Sequence, residues 1–436
     1  MSHLLKLDTK NFFARAPYQS GVTQVELERV KPLMEKAKER LLLEWKTGRQ
    51  GWLGVSDDMV LLKYITTCAR MYKKKGMKTC LVIGIGGSDL GARAAYAALG
   101  YGKKGMRLVF AGGNTDPVEL YRILQDIEPR KTVVNIISKS GDTVEPMTSF
   151  LIVRDFFKKK LGKKYAQHIV ATTDMDVGSL HALAIQEKYV LLPVPKNIGG
   201  RFSILTAVGL FPLACAAIDI KKILKGAEHI REKFILEKSF DNAACVYGAL
   251  QYIADFRHGQ SIQVLMPYSS QLYETGKWFR QLWAESLGKK KNPSDDEGVG
   301  PTPVAALGAT DQHSQMQLYM EGPRDKTITF IEIEKFEKDM RVPASAKDIP
   351  SLSYLSGVSM TRIIHAEREA SAQALRDAGR PNMTIFLRDI STESFGALIL
   401  HFEIATAIAG CLYGINTYDQ PGVEAGKRAM YALLGK

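Results

Sequence analysis

Val133-Val134-Asn135-Ile136-Ile137 runs directly into Ser138-Lys139-Ser140-Gly141-Asp142-Thr143-Val144-Glu145-Pro146. The first five residues are β-branched apart from one asparagine and do not alternate with polar ones, and with the residue before them the run spans Thr132–Ile137. An unbroken apolar run of this length is that of a strand buried on both faces, as in a parallel sheet. The next residues are rich in hydroxyls. Thr143 is a candidate N-cap, and proline is tolerated in the first turn of a helix. Strand, donor-rich loop and helix together form one step of an open α/β fold, in which ligands bind beyond the carboxyl ends of the strands. Hydroxyl donors, Lys139 and a helix N-terminus at that place suit a phosphate dianion. A Ser/Thr-rich capping loop without a ligand is the plainer alternative, against which the density of donors counts.

Working outward, similar runs occur at Cys80–Ile85, Arg107–Ala111, Ile169–Thr173 and Tyr189–Val194. Helical stretches such as Asp89–Ala98 and Pro117–Glu128 lie between several of them. Five strands with crossovers make a first doubly wound domain. The 436 residues exceed one ordinary domain. Further runs at Ser261–Met266, Val304–Leu307, Thr327–Ile333 and Met383–Leu387 predict a second unit of similar style, suggesting duplication without a clear residue-level repeat. The expected fold class is α/β: two α/β/α sandwich domains with mainly parallel sheets, plus C-terminal helices. The expected division is an N-terminal helical segment over 1–60, with a helix near 22–47, a first domain over 61–220 and a second over 221–436. The tail reads as two helices divided by Asn416–Pro421, and Lys289–Pro303 reads as a loop. A buried helix is expected over 203–218. Its core, Ile204–Ile218, is taken as the longest apolar segment and falls short of a membrane span.

The net charge is +13, in short clusters such as Lys73–Lys75, Lys158–Lys160 and Lys289–Lys291. A solvated basic surface, attraction of a small anionic substrate and nucleic-acid binding all account for it. There is no basic arm or stripe interleaved with aromatics, as a strand-binding surface needs. The five cysteines are scattered without a CxxC pair and read as buried free thiols in a reducing compartment. The eight histidines show no metal-ligand spacing, so no structural metal is expected. Met1–Lys10 lacks the apolar core of a signal peptide, and a soluble, cytoplasmic protein is expected.

Five further stretches carry possible chemistry, each with a plainer reading beside it. Ile83-Gly84-Ile85-Gly86-Gly87-Ser88-Asp89-Leu90-Gly91 brings bare backbone N–H groups to a helix start. Asp89 stands where a dinucleotide fingerprint has its third glycine, and Ala92 where a Walker loop has lysine. A tight strand-to-helix turn is the plainer account. Gly199-Gly200-Arg201-Phe202-Ser203 places an arginine near a helix start, for a developing negative charge or simply at the surface. In Trp283-Ala284-Glu285-Ser286-Leu287-Gly288-Lys289, desolvation by Trp283 and Leu287 would fit Glu285 for general-base work. Otherwise it is an ordinary helix-end glutamate. His313, in Asp311-Gln312-His313-Ser314-Gln315, is a catalyst or a structural hydrogen-bonder. Lys427, in Asp419-Gln420-Pro421-Gly422-Val423-Glu424-Ala425-Gly426-Lys427, acts in a site or pairs with Glu424 on a helix face.

Together, and in this order, the six stretches resemble the conserved blocks of the glucose-6-phosphate isomerase family over about residues 80–430, in a chain of the compact bacterial type. The first two blocks are common to sugar isomerase domains, and the last three are much more specific. The resemblance implies two sugar isomerase domains and a cytoplasmic homodimer. It implies isomerisation of glucose 6-phosphate and fructose 6-phosphate through a cis-enediol, in glycolysis and gluconeogenesis, without cofactor or metal. It implies that Ser138, Ser140 and Thr143 bind phosphate with Lys139 nearby, that Gly87 and Ser88 line the sugar, and that Gln281 and Gln420 contact substrate. It gives proton transfer between C2 and C1 to Glu285, stabilisation of the enediolate to Arg201, and ring opening to His313 and Lys427, with the histidine supplied by the partner subunit. Ser140 and Pro146 stand where some relatives have threonine, and Leu287 where others are polar. A sugar-phosphate-sensing protein and an isomerase of mannose 6-phosphate are the alternatives. The sensor is expected to lack Glu285 and Lys427 in these contexts.

Overall fold

The computed structural model describes residues 3–17, 20–292 and 294–435. The chain divides into two compact units, Leu42–Arg231, and Met1–Leu41 together with Glu232–Lys436. In chain order the strands are β1 Leu5–Asp8, β2 Thr79–Ile83, β3 Arg107–Ala111, β4 Thr132–Ile137, β5 Ile169–Thr173, β6 Val190–Pro193, β7 Ile262–Pro267, β8 Thr302–Ala305, β9 Lys326–Ile333 and β10 Asn382–Leu387.

The unit Leu42–Arg231 has the sheet order β3-β2-β4-β5-β6, with every pair parallel. β2, β4 and β5 are buried at every position, as their unbroken apolar runs require. Parallel neighbours need crossovers, and helices Leu90–Leu99, Pro117–Asp126, Val144–Leu161 and Ser179–Glu187 supply them. Leu81, Val134 and Ile136 form one core with Phe150, Val153 and Phe157. Each such side chain contributes about 1.5–3 kcal/mol when buried. β3 lies on one side of β2 and β4 on the other, so the loops after β2 and β4 flank the point where strand order reverses.

The other unit has the order β1-β10-β9-β7-β8. Its pairs are parallel except β1, which runs antiparallel to β10 with Leu5 opposite Leu387. β8 on one side of β7, with β9 and β10 on the other, repeats the arrangement of β3 about β2 with β4 and β5. The similarity of style read from the strands is therefore a similarity of topology. β1 differs from the helical segment expected for 1–60: its four residues are too short to show a period, and its partner lies at the far end of the chain. Helix Met59–Lys74 was not anticipated either.

Two expectations about apolar helices are corrected. The helix predicted over 203–218 is only Ala207–Cys215. Gly200–Phe202 form a separate tight turn, and Thr206 caps the helix by accepting from the Val208 N–H at 3.3 Å. Ile204–Ile218 is also not the longest apolar stretch. Helix Thr392–Tyr413 is long and apolar enough to cross a membrane. Here it is a core helix, buried from Ser394 to Gly410 and packed on helices Ala243–His258 and Tyr273–Leu287. His401 and Glu403 in its middle masked the run in the sequence.

Candidate active site

In the unit Leu42–Arg231, β2 ends at Ile83 and the chain turns through Gly86–Ser88, with Gly86 at φ +57°, into helix Leu90–Leu99. A Cβ on Gly87 would lie 2.1 Å from the Gly200 carbonyl carbon. The backbones of the two glycine loops thus touch, and Gly87 and Ser88 come beside Arg201. Arg201 is 3% exposed, and Phe202 packs its ring on Trp52 with centroids 5.3 Å apart. A guanidinium keeps its charge when buried, so Arg201 is a fixed cation at this place. Asp89 receives the Arg93 Nε–H at 2.8 and 2.7 Å from its two oxygens, an internal pair at the helix start.

The loop after β4 is held by its own hydroxyls. The Gly141 N–H donates to Ser138 Oγ at 3.1 Å, and the Asp142 N–H to Ser140 Oγ at 3.3 Å. Gly141 takes φ +77°, and a Cβ there would meet the Leu180 nitrogen at 2.4 Å. Ser179 Oγ donates to Asp142 Oδ1 at 2.5 Å, which fastens the loop to the turn after β5. Thr143 occupies the N-cap position of helix Val144–Leu161, but its side chain does not cap. Its hydroxyl turns instead toward Ser138 Oγ, 3.5 Å away. Pro146 is buried in the helix's first turn. Lys139 has a task the sequence did not reveal. Its ammonium donates to the carbonyls of Lys196 at 2.8 Å and Ile198 at 3.1 Å, and so anchors the segment leading to Gly199-Gly200-Arg201. Burial pushes this ammonium below its ordinary lysine value, against the attraction of Asp174. These contacts link the loops carrying Gly87, Ser88, Ser138, Ser140, Thr143 and Arg201 into one donor-rich face beyond β2 and β4.

In the other unit, helix Tyr273–Leu287 runs antiparallel to β8. A Cβ on Gly276 would sit 3.3 Å from the Ala305 Cβ at the strand's end. One on Gly300, just before the strand, would meet the Leu287 carbonyl at 2.4 Å. Glu285 therefore lies toward the amino end of the sheet. Gln281, one turn earlier, donates from Nε2 to Glu285 Oε2 at 2.9 Å. Its own Oε1 is a buried acceptor with no hydrogen-bond partner among the described residues. A buried acceptor of this kind calls for a donor such as a substrate hydroxyl. Trp283 and Leu287 do not desolvate Glu285 as the sequence suggested. Two residues along a helix is about 200° of rotation, so both turn to the opposite face. They are fully buried, with Trp283 packed on Phe279 at 5.4 Å and Tyr247 at 6.1 Å.

His313 lies beyond the carboxyl end of β8, exposed, after the turn Thr310–Gln312. Asp311 shapes this loop by accepting from the Leu307 N–H at 2.7 Å and Ser314 Oγ at 2.5 Å. Burial pushes the Asp311 carboxyl up, but the hydrogen bonds from Ser314, Gln315 and Leu307 outweigh it and hold it below its ordinary value. From Gly300 to Ala305 the chain rises about 16 Å along the strand. Glu285 and His313 therefore occupy opposite ends of the same α/β layer. Gln420 precedes the turn Pro421–Val423. Lys427 sits on exposed helix Glu424–Leu433 and donates to Glu424 Oε1 at 2.7 Å, the pairing its spacing allowed.

Residues 61–434 match the family model described as phosphoglucose isomerase. The chain belongs to the phosphoglucose isomerase family. The glucose-6-phosphate isomerase of Rubrobacter xylanophilus is 40% identical over 426 residues, covering 96% of each chain. That of Carboxydothermus hydrogenoformans is 37% identical over 445 residues, covering 99% of this chain and 95% of the relative. A crystal structure of a hypothetical protein from Thermus thermophilus is similar at a TM-score of 0.90 and 34% identity, over 99% of this chain and 100% of that one. A glucose-6-phosphate isomerase from Chlamydia trachomatis has a TM-score of 0.82 at 23% identity, over 95% of this chain and 86% of that one, and shares the fold. The phosphoglucose isomerase family thus matches the resemblance read from the six blocks, and the parallel α/β architecture matches the expected fold class.

Proposed function

We propose that the two units are tandem sugar isomerase domains and that the chain works as a cytoplasmic homodimer. The reaction is the reversible aldose–ketose isomerisation of glucose 6-phosphate and fructose 6-phosphate, a step of glycolysis and gluconeogenesis. The observation that carries this reading is the donor-rich Ser138–Thr143 loop at the reversal of strand order, in a chain whose family match covers residues 61–434.

In this reading Ser138, Ser140 and Thr143 bind the phosphate through hydroxyls and loop N–H groups, and Pro146 adds no hydroxyl to them. Lys139 acts on the phosphate's surroundings by fixing the loop before Arg201. Gly87 and Ser88 line the sugar, and Gln281 and Gln420 contact it. Glu285 takes the proton from C2 and returns it to C1. A single carboxylate that accepts and returns the same proton is what an aldose–ketose exchange requires. The negative charge that appears on oxygen is met by Arg201, whose permanent charge costs no reorganisation at the moment of reaction. His313 and Lys427 move protons at the ring oxygen and the anomeric hydroxyl, for which Lys427 must leave Glu424. The separation of Glu285 from His313 supports a histidine supplied by the partner subunit: proton-transfer groups need hydrogen-bond reach of about 3 Å, far less than the length of β8. Glu285 and Lys427, present in their family contexts, favour the enzyme over a sugar-phosphate sensor.

A coupled assay of glucose 6-phosphate formation from fructose 6-phosphate tests the base. Glu285→Gln is expected to lower kcat by ~10³-fold with KM little changed. Full activity in this variant would remove Glu285 from the role.

A further inference from the structure

We propose that Lys289 is a positioning residue for the isomerase reaction, tying the end of the Gln281–Glu285 helix to the turn that delivers Gln420. The inference rests on the site reading above.

Lys289 follows the helix's C-cap, Gly288. Its backbone is fixed on both sides by Val299: its N–H donates to the Val299 carbonyl at 3.1 Å, and its carbonyl accepts from the Val299 N–H at 2.7 Å. Its side chain is 6% exposed. The ammonium donates to the Asn416 carbonyl at 2.9 Å, to the Asp419 carbonyl, and to Asp419 Oδ1 at 2.9 Å. A lysine has three donors, and acceptors for all of them are gathered in one short turn. The turn is braced internally as well. Asn416 Nδ2 donates to Asp419 Oδ2 at 2.8 Å, and Asn416 Oδ1 accepts from the Tyr418 N–H at 3.1 Å.

Such an arrangement is costly as a source of stability, because a buried ammonium must first lose its water. What it supplies is geometry. An apolar contact of equal size tolerates sliding, whereas two carbonyls and a carboxylate around one nitrogen do not. Gln420 is the next residue after Asp419, and helix Glu424–Leu433 beyond it has no buried residue of its own. The path of this segment is therefore set at the turn Lys289 grips, and the grip originates four residues beyond Glu285. Displacing a substrate contact by an ångström is enough to cost about 100-fold in rate.

Asp419 is half-exposed and can rehydrate when its partner is lost, so Lys289→Met is expected to fold. Its kcat/KM should fall about 100-fold. In a Gln420→Ala background the same substitution should cost only a few-fold, because the group it positions is already gone. A merely structural lysine gives equal losses in both backgrounds, and that result, or wild-type kinetics in Lys289→Met, overturns the proposal. If Lys289→Met does not fold, Asp419→Asn is the second variant. With its one amide oxygen kept by Lys289, Asp419→Asn retains the carbonyl acceptors and removes the charge together with the oxygen that accepts from Asn416 Nδ2. It is expected to lose ~10-fold, again only when Gln420 is present, and equal losses overturn the proposal there too. Glu285→Gln is run alongside. An active control defeats the site reading itself, whereas an inactive control with an unaffected Lys289→Met defeats only the role of Lys289.

Discussion

In the unit Leu42–Arg231, the candidate groups Gly87, Ser88, Ser138, Ser140, Thr143 and Arg201 all lie on turns between a strand and a helix. In the other unit, Gln281 and Glu285 lie near the end of a helix, His313 follows the edge strand β8, and Gln420 and Lys427 belong to the C-terminal segment. Yet the two sheets repeat one topology about β2 and β7. The first unit builds its face from backbone: glycines pressed against each other, N–H groups bound by hydroxyls, one buried arginine. The second relies on a few side-chain bonds, Gln281 to Glu285, Asp311 to its loop and Lys289 to the turn before Gln420. Backbone-built sites suit a constant group such as phosphate, and side-chain-built sites suit groups that must exchange protons.

The contrast predicts different kinetic signatures. Arg201→Ala removes the buried guanidinium of the backbone-built face, and kcat should fall by ~10²–10³-fold. An effect confined to KM would make Arg201 a binding residue and remove its role at the developing negative charge. Thr143→Ala should act the other way, raising KM about 10-fold with little change in kcat, because one hydroxyl contact to a charged phosphate is lost. A large fall in kcat there would show that the phosphate loop takes part in the chemistry.

The smallest effect concerns stability alone, in the core helix of the side-chain-built unit. Burial pushes the Glu403 carboxyl well above its ordinary value, with both oxygens unpartnered among the described residues. The folded state keeps its proton while the unfolded chain gives it up, so stability falls as pH rises above the ordinary glutamate value of 4.5. Burial lowers His401 on the same helix to about 3, so its contribution falls as pH drops below 6.5. Glu403→Gln should raise the thermal midpoint at pH 8 and leave it nearly unchanged at pH 4. Equal shifts at both values would mean that Glu403 is not held protonated.

The same division explains what could be read from the sequence. Buried strands announce themselves by unbroken apolar runs, so β3, β4 and β5 match the expected bounds and the other expected strands shift by a residue or two. β1 was too short, and Thr392–Tyr413 hid behind His401 and Glu403. The glycine and hydroxyl loops were legible because their residue types are tied to a local backbone shape. Side-chain geometry was not. Trp283 and Leu287 flank Glu285 in sequence and lie on the other face of its helix. Lys139 reads as part of the phosphate loop and Lys289 as a member of a basic cluster, and each grips carbonyls of a distant loop. Nothing local in a sequence marks a lysine whose acceptors lie 57 or 127 residues away.

The most direct test of the account mixes two inactive variants. Glu285→Gln and His313→Ala are purified separately, denatured and refolded together, and assayed against each alone. If the histidine serves the partner's carboxylate, half the dimers are mixed and each of these has one intact site, so about a quarter of wild-type activity should return. No return of activity, with mixed dimers demonstrated to form, would mean that Glu285 and His313 of the same chain act together, and would contradict the account.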